Sequence, residues 1–221
     1  MKRVYIYDKF NRVWHWGQAF LIIFLAITGF EINGSFEFFG FETAVRWHNV
    51  AAIALVILVA LAIFWHFTTG VWRHYVPTIK NIREQVKYYT WGIFNNDPHP
   101  VKKTELSKLN PLQRIVYFGL KILVIPVMII SGILYLLYRY PQKGTMMSLG
   151  TDNLEAIALF HTAGAFALIA FIIVHLYLIS TGHTITSNLK AMITGYEEIE
   201  EDEKEINDPE TIKEKFEIQN N

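Results

Sequence analysis

Residues 160–178 read FHTAGAFALIAFIIVHLYL. Apart from two imidazoles and a threonine, every side chain in the stretch is small, apolar or aromatic. A helix needs roughly 20 such residues to cross a bilayer, and three further segments match that length. The four predicted spans are Trp14–Phe30, Val45–Phe67, Leu112–Tyr138 and Leu154–Ser180. Each must satisfy its own backbone polar groups in hydrocarbon, which only a helix or a closed barrel can do. The sequence therefore predicts an all-α, integral membrane four-helix bundle.

The rest of the composition narrows the chemistry. The chain has 221 residues, 52% of them hydrophobic, and no cysteine. Disulfides, thiolate-bound iron–sulfur clusters, covalently attached c-type haem and zinc ribbons are thereby excluded. A redox centre would have to rest on other ligands, and eight histidines are available. The first span is short enough to raise a cleaved signal peptide as its rival. No small-residue cleavage site follows in LAITGFEINGSFEF (25–38), so a retained helix is expected.

Orientation follows from Lys and Arg near the span ends. Residues 1–13 carry Lys2, Arg3, Lys9 and Arg12, and the second loop carries Arg73, Lys80, Arg83, Lys87, Lys102, Lys103, Lys108 and Arg114. The other two loops hold only Arg46, Arg139 and Lys143. Both termini are thus expected in the cytoplasm, with Trp72, Tyr75, Tyr88, Tyr89 and Trp91 as an inner aromatic belt. Residues 1–196 read as one membrane domain and 197–221 as an acidic, solvated cytoplasmic tail.

Placed on this map, the histidines fall into levels. His161 and His175 are fourteen residues apart. At about 100° and 1.5 Å per residue they share one helical face, roughly 21 Å apart along the axis. His48, at the outer start of the second span, is level with His161, and His15, at the inner start of the first, is level with His175. Two imidazole pairs, each bridging two helices, suit two bis-histidine haems stacked across the membrane. A brace of hydrogen-bonded structural histidines is the rival reading, because an unpaired polar group in lipid costs several kcal/mol. Zinc is disfavoured by the lack of a third or fourth ligand at either level. Small residues beside the histidines, such as Gly17, Ala19, Ala51, Ala52, Ala54 and the HTAGAFA run (161–167), leave room for a flat macrocycle but equally allow close helix packing.

At these residues the sequence resembles the dihaem cytochrome b subunits of membrane oxidoreductases. That group includes the formate dehydrogenase gamma subunit and the cytochrome b subunits of nickel–iron hydrogenase and thiosulfate reductase. The resemblance covers residues 8–196. It rests on NRVWHWGQAFLIIFLAITGF (11–30), RWHNVAA (46–52), KLNPLQRIVYF (108–118), SGILY (131–135), the His161–His175 spacing and LKAMITGYEE (189–198). It implies His48 and His161 as axial ligands of an outer b-type haem, and His15 and His175 of an inner one. It further implies a quinone (menaquinone or ubiquinone) beside the inner haem, contacted by Asn110 and Gln113. His66 stands where relatives often carry Arg; it and Lys121 are candidate contacts to a propionate or the quinone, with His66 a possible replacement ligand. His74, His99 and His183 read as solvent or headgroup histidines.

The implied function is a membrane-anchoring electron-transfer subunit of a respiratory complex in a prokaryotic cytoplasmic (inner) membrane. It would pass electrons between the quinone pool and an extracytoplasmic redox subunit, without acting on the primary substrate itself. That partner would be an iron–sulfur/molybdopterin enzyme, a hydrogenase or a multihaem cytochrome c, in a hetero-oligomer. The short loops 31–44 and 139–153 are too small to hold such a site, and nothing suggests nucleic acid. Two alternatives stay open: a self-contained dihaem cytochrome b serving a small acceptor, and a haem-free membrane scaffold.

Overall fold

The structure is a computed structural model that describes residues 2–79, 81–95, 97, 109–139, 151–182 and 184–199. The side chain of His74, and all of His99, His183 and residues 200–221, lie outside the described residues. The described residues are helical almost throughout. Its elements are β1 (Lys2–Tyr5), α1 (Lys9–Ile32), α2 (Phe41–Thr69), α3 (Ile82–Thr90), α4 (Pro111–Gly119), α5 (Ile125–Arg139), α6 (Thr151–Ile179), α7 (Ser187–Thr194) and β2 (Tyr196–Ile199). A π-turn, Leu120–Val124, joins α4 to α5 without breaking the rod.

Four helices are long and apolar enough to cross a membrane: Lys9–Ile32, Phe41–Thr69, Pro111–Tyr138 and Asn153–Ile179. They contain the four predicted spans almost in full. α1 and α2 begin about a turn earlier than hydropathy suggests, because helix propagation continues into polar interfacial residues once the span has nucleated it. Their outward faces are apolar: Phe20, Ile57, Phe64 and Ile173 are all more than half exposed. In water such a surface would drive aggregation; against lipid tails it is the stabilising contact.

Packing is uneven. α1 lies close along α2, and α5 along α6, whereas backbone approaches between the two hairpins are sparse. Ala44, Ala51 and Ala62 of α2 are buried, and small side chains let helix backbones approach closely in lipid. Across the wider spacing, the hairpins are bridged by long or aromatic side chains, including Phe30–Phe166 with ring centres 5.8 Å apart.

Both ends of the bundle are tied. At the end remote from the termini, Glu31 is 4% exposed and its Oε1 accepts the backbone N–H groups of Phe38, Phe39 and Gly40 at 2.9, 2.6 and 2.8 Å. One carboxylate thus closes the α1–α2 loop with three charge-assisted bonds. At the terminal end β1 and β2 pair antiparallel, from Lys2↔Ile199 to Tyr5↔Tyr196. Residues 197–199, read from composition as the start of a solvated tail, therefore lie in a strand. Nearby, Ile6 and Tyr7 both donate backbone N–H groups to the Gly195 carbonyl, and Tyr7 is held above the usual phenol range by burial and then by Glu197.

Candidate functional site: paired histidines between two helical hairpins

The sequence pairs the histidines by depth, and the folded chain brings those residues together. His15 of α1 faces His175 of α6 with ring centroids 6.1 Å apart. His48 of α2 faces His161 of α6 at 6.3 Å. α6 is unbroken between the two positions, so the levels stand roughly 21 Å apart along its axis.

These spacings can be tested against a metal. Two imidazoles on opposite sides of one ion, with bonds of about 2 Å and ring centres about 1.2 Å beyond each nitrogen, have centroids about 6.4 Å apart. Both observed pairs come within a few tenths of an ångström of that value. Among the described residues no group of three or more His, Cys, Asp or Glu converges on either pair. A porphyrin, which supplies four equatorial nitrogens itself and needs only two axial ligands, suits this donor set, and the wide spacing between hairpins suits a flat macrocycle.

The two levels differ in their support. At the far level, His48 Nδ1 lies 3.0 Å from Thr28 Oγ1. That hydroxyl donates its proton to the Phe24 carbonyl at 2.9 Å, so its oxygen is left to accept from the imidazole. His161 Nδ1 lies 2.8 Å from Ser131 Oγ, whose proton goes to the Val127 carbonyl at 2.6 Å. Each ring is therefore held by its Nδ1–H with Nε2 free to ligate, the arrangement usual around metal-bound imidazoles. Glycines make room beside them: a Cβ on Gly29 would stand 3.3 Å from His48 Cε1, and one on Gly132 3.7 Å from His161 Cε1.

At the terminal level the support is aromatic. Phe171 stacks on His175 at 5.4 Å, and Tyr117 meets Phe171 at 6.0 Å. His15 Nδ1 is buried without a hydrogen-bond partner.

His66 joins neither pair. Its Nδ1 donates to the Ala62 carbonyl at 2.5 Å, which leaves the Nε2 lone pair facing Lys121 Nζ at 3.5 Å. The ammonium also rests over the Tyr75 ring, 3.2 Å from its centroid, with Trp14 farther off at 5.6 Å. A lysine inside a span costs up to about 3 kcal/mol, the value at the bilayer centre. A lone pair and an electron-rich ring face recover part of that, the latter by about 0.5–2 kcal/mol. Tyr75, just beyond α2, is itself pushed up to about 12 by burial.

Asn110 and Gln113 form a reciprocal cap on α4. Asn110 Oδ1 accepts the Gln113 N–H at 2.8 Å, and Gln113 Oε1 accepts the Asn110 N–H at 3.1 Å. Asn110 Nδ2 also donates to Tyr89 Oη at 3.0 Å, and Tyr177 Oη donates to the Tyr89 carbonyl at 3.2 Å. The cluster is thereby fastened to α6 two residues past His175. Burial, with Tyr88 adding to it, raises Tyr89, while contacts from Gln85 and Asn110 act the other way. Gln85 is wholly buried and neither of its amide atoms finds hydrogen-bond geometry.

Sequence reasoning missed Thr28, Ser131 and Gln85. The first two stand in stretches, ITGF and SGILY, that mark the family resemblance, where nothing in the sequence signals the use of their hydroxyls.

Comparison with known proteins supplies the family. The chain is similar to the Escherichia coli protein named as cytochrome YdhU, at 30% identity over 88% of this chain and 75% of the relative. A Rhizobium leguminosarum protein named as a Ni/Fe-hydrogenase B-type cytochrome subunit is 27% identical over 79% of each. An Azospira oryzae protein named as a protein-methionine-sulfoxide reductase subunit, YedZ1, is 26% identical over 88% of this chain and 99% of the relative. No solved structure matches significantly. The profile described as prokaryotic cytochrome b561 matches residues 6–195, which takes in all four spans and all four paired histidines. The chain belongs to the prokaryotic cytochrome b561 family, membrane electron-transfer proteins built around b-type haem.

Proposed function

We propose that the chain is the dihaem, quinone-reactive membrane subunit of a respiratory oxidoreductase. The observation that carries this reading is the pair of imidazole–imidazole distances, 6.1 and 6.3 Å, at two depths on one helix. His48 and His161 would hold one haem, His15 and His175 the other. Bound there, b-type haem supplies a one-electron couple at each level. Two levels are needed because a hydrocarbon slab about 30 Å thick separates the faces.

The chain's own residues do the rest. The four imidazoles fix position, and the apolar flanks of α2, α5 and α6 exclude water. Thr28 and Ser131 hold the far-level rings. His66 and Lys121 place a cation and a basic nitrogen near the terminal level, where a propionate or a quinone oxygen could be met. Asn110 and Gln113 set the start of α4 and hold Tyr89 beside α6, forming one wall of the quinone site. Quinone takes two electrons and two protons to become quinol, and the protons enter from water at the terminal face.

The basic loops support a cytoplasmic position for that face and for both termini. The redox partner then docks on the extracytoplasmic end, where the α1–α2 loop is pinned by Glu31. The names of the relatives, two as subunits of hydrogenase and of a sulfoxide reductase, support a partner of the redox-enzyme class. The membrane unit extends through β2 to residue 199, three residues beyond the boundary read from composition, with an acidic tail beyond.

A pyridine haemochrome assay on purified chain tests the reading. Two b-type haems per chain are expected, falling to one in His161→Ala. Wild-type protein that binds a single haem, or none, overturns it.

A further inference from the structure

Both far-level histidines donate Nδ1–H to a hydroxyl that is itself committed as a donor to a helix carbonyl. Thr28 and Ser131 are 0% and 4% exposed, so water does not compete. The chains run imidazole N–H to hydroxyl to Phe24 carbonyl, and imidazole N–H to hydroxyl to Val127 carbonyl. In such a relay each bond polarises the next, and the hydroxyl oxygen becomes a stronger acceptor than a free one. The terminal level has no counterpart. His15 Nδ1 is buried and unpartnered, and among the described residues no hydrogen bond reaches His175.

A hydrogen bond accepted from the back of an imidazole makes the ring more basic. A more basic axial ligand favours ferric over ferrous iron and lowers the reduction potential. The Lys121 ammonium acts in the opposite sense on the terminal level, since positive charge favours the reduced state. Both effects point one way.

We infer that Thr28 and Ser131 are positioning residues whose hydroxyls set the far-level haem at a lower reduction potential than the terminal-level haem, so that electrons run downhill toward the terminal face. The inference rests on the ligand assignment proposed above. It adds a direction of flow, from the partner's end to the quinone's end.

Spectroelectrochemical titration of the purified full-length chain reads this directly. Wild type should give two waves, and His161→Ala should remove the lower one, which assigns it to the far level. Ser131→Ala and Thr28→Val should each keep haem content and move the lower wave upward, while the upper wave stays put. Ser131→Thr and Thr28→Ser, which retain the hydroxyl, should restore it. An upper wave that vanishes in His161→Ala overturns the inference, as do waves unmoved in both hydroxyl-less variants or moved equally at both levels. If either hydroxyl-less variant loses the haem, the unaltered wild-type order of the two waves still decides the direction. Absence of haem from the wild type would defeat the ligand assignment instead, and the haemochrome assay separates that outcome.

Discussion

Gly29 and Thr28 act on the same imidazole from neighbouring positions of α1. The threonine takes its N–H and the glycine gives its Cε1 room. A methyl group at Gly29 would require the His48 ring to yield by a few tenths of an ångström, whereas one at Gly132 meets His161 at ordinary contact distance. Gly29→Ala should therefore perturb the low-spin ferric EPR signal of one centre while Gly132→Ala leaves both signals as they are. A second residue-scale prediction concerns Tyr75, whose folded-state value of about 12 exceeds its ordinary 10.0 because of burial. Below pH 10 both folded and unfolded phenols are protonated, and the full stability is present. Between 10 and 12 only the unfolded chain ionises, so stability falls across that window. Tyr75→Phe should flatten that part of an alkaline unfolding profile. At this scale the histidine pairing was legible in sequence, because depth and helical phase are both linear functions of residue number. The hydroxyls were not: Thr28 and Ser131 can satisfy themselves on their own helix, and only the tertiary neighbour shows that they also serve another.

The start of α4 shows how an element can carry a site. Asn110 reads as a quinone contact by resemblance, yet its side chain is engaged as a cap and as a donor to Tyr89. Asn110→Ala should cost about 1 kcal/mol from the cap alone, seen as a lower thermal midpoint, and should weaken quinone-analogue binding with haem content intact. Asn110→Asp, which keeps an acceptor for the Gln113 amide, should recover most of the lost stability. If Asn110→Ala instead strips a haem, the cap supports the histidine level and not the quinone wall. The signature N-P-L-Q at 110–113 is a capping pattern that the sequence displays openly. A π-turn is harder to foresee, since Leu120–Val124 contains nothing that breaks α-helical periodicity. It adds one residue to the rod and so changes the phase between Lys121, which faces His66, and Ser131, which faces His161. Deleting a residue there should uncouple the two contacts, lowering haem retention at the far level.

For the whole molecule, four apolar runs and their polar boundaries were enough to give the architecture, because in lipid the backbone has few other solutions. Composition could not reveal how the ends are fastened. Charge density at 197–199 argued for a solvated tail, but pairing with β1 depends on a partner almost the whole chain away. Gly195 is the hinge of that closure. It adopts φ 90°, and a Cβ there would stand 2.6 Å from Tyr5 Cε2 and 2.8 Å from the Tyr7 carbonyl oxygen. Gly195→Ala should open the two-stranded sheet while leaving the spans and their histidine pairs in place, detected as faster hydrogen exchange at residues 2–7 with an unchanged haem spectrum.

The order in which the chain is made gives that sheet a further meaning. Its first strand is made before α1, and its second only after α7. Residues 2–5 must wait, unzipped, through the whole of membrane insertion. Their closure is thus a latch that can fasten only after all four spans have been made.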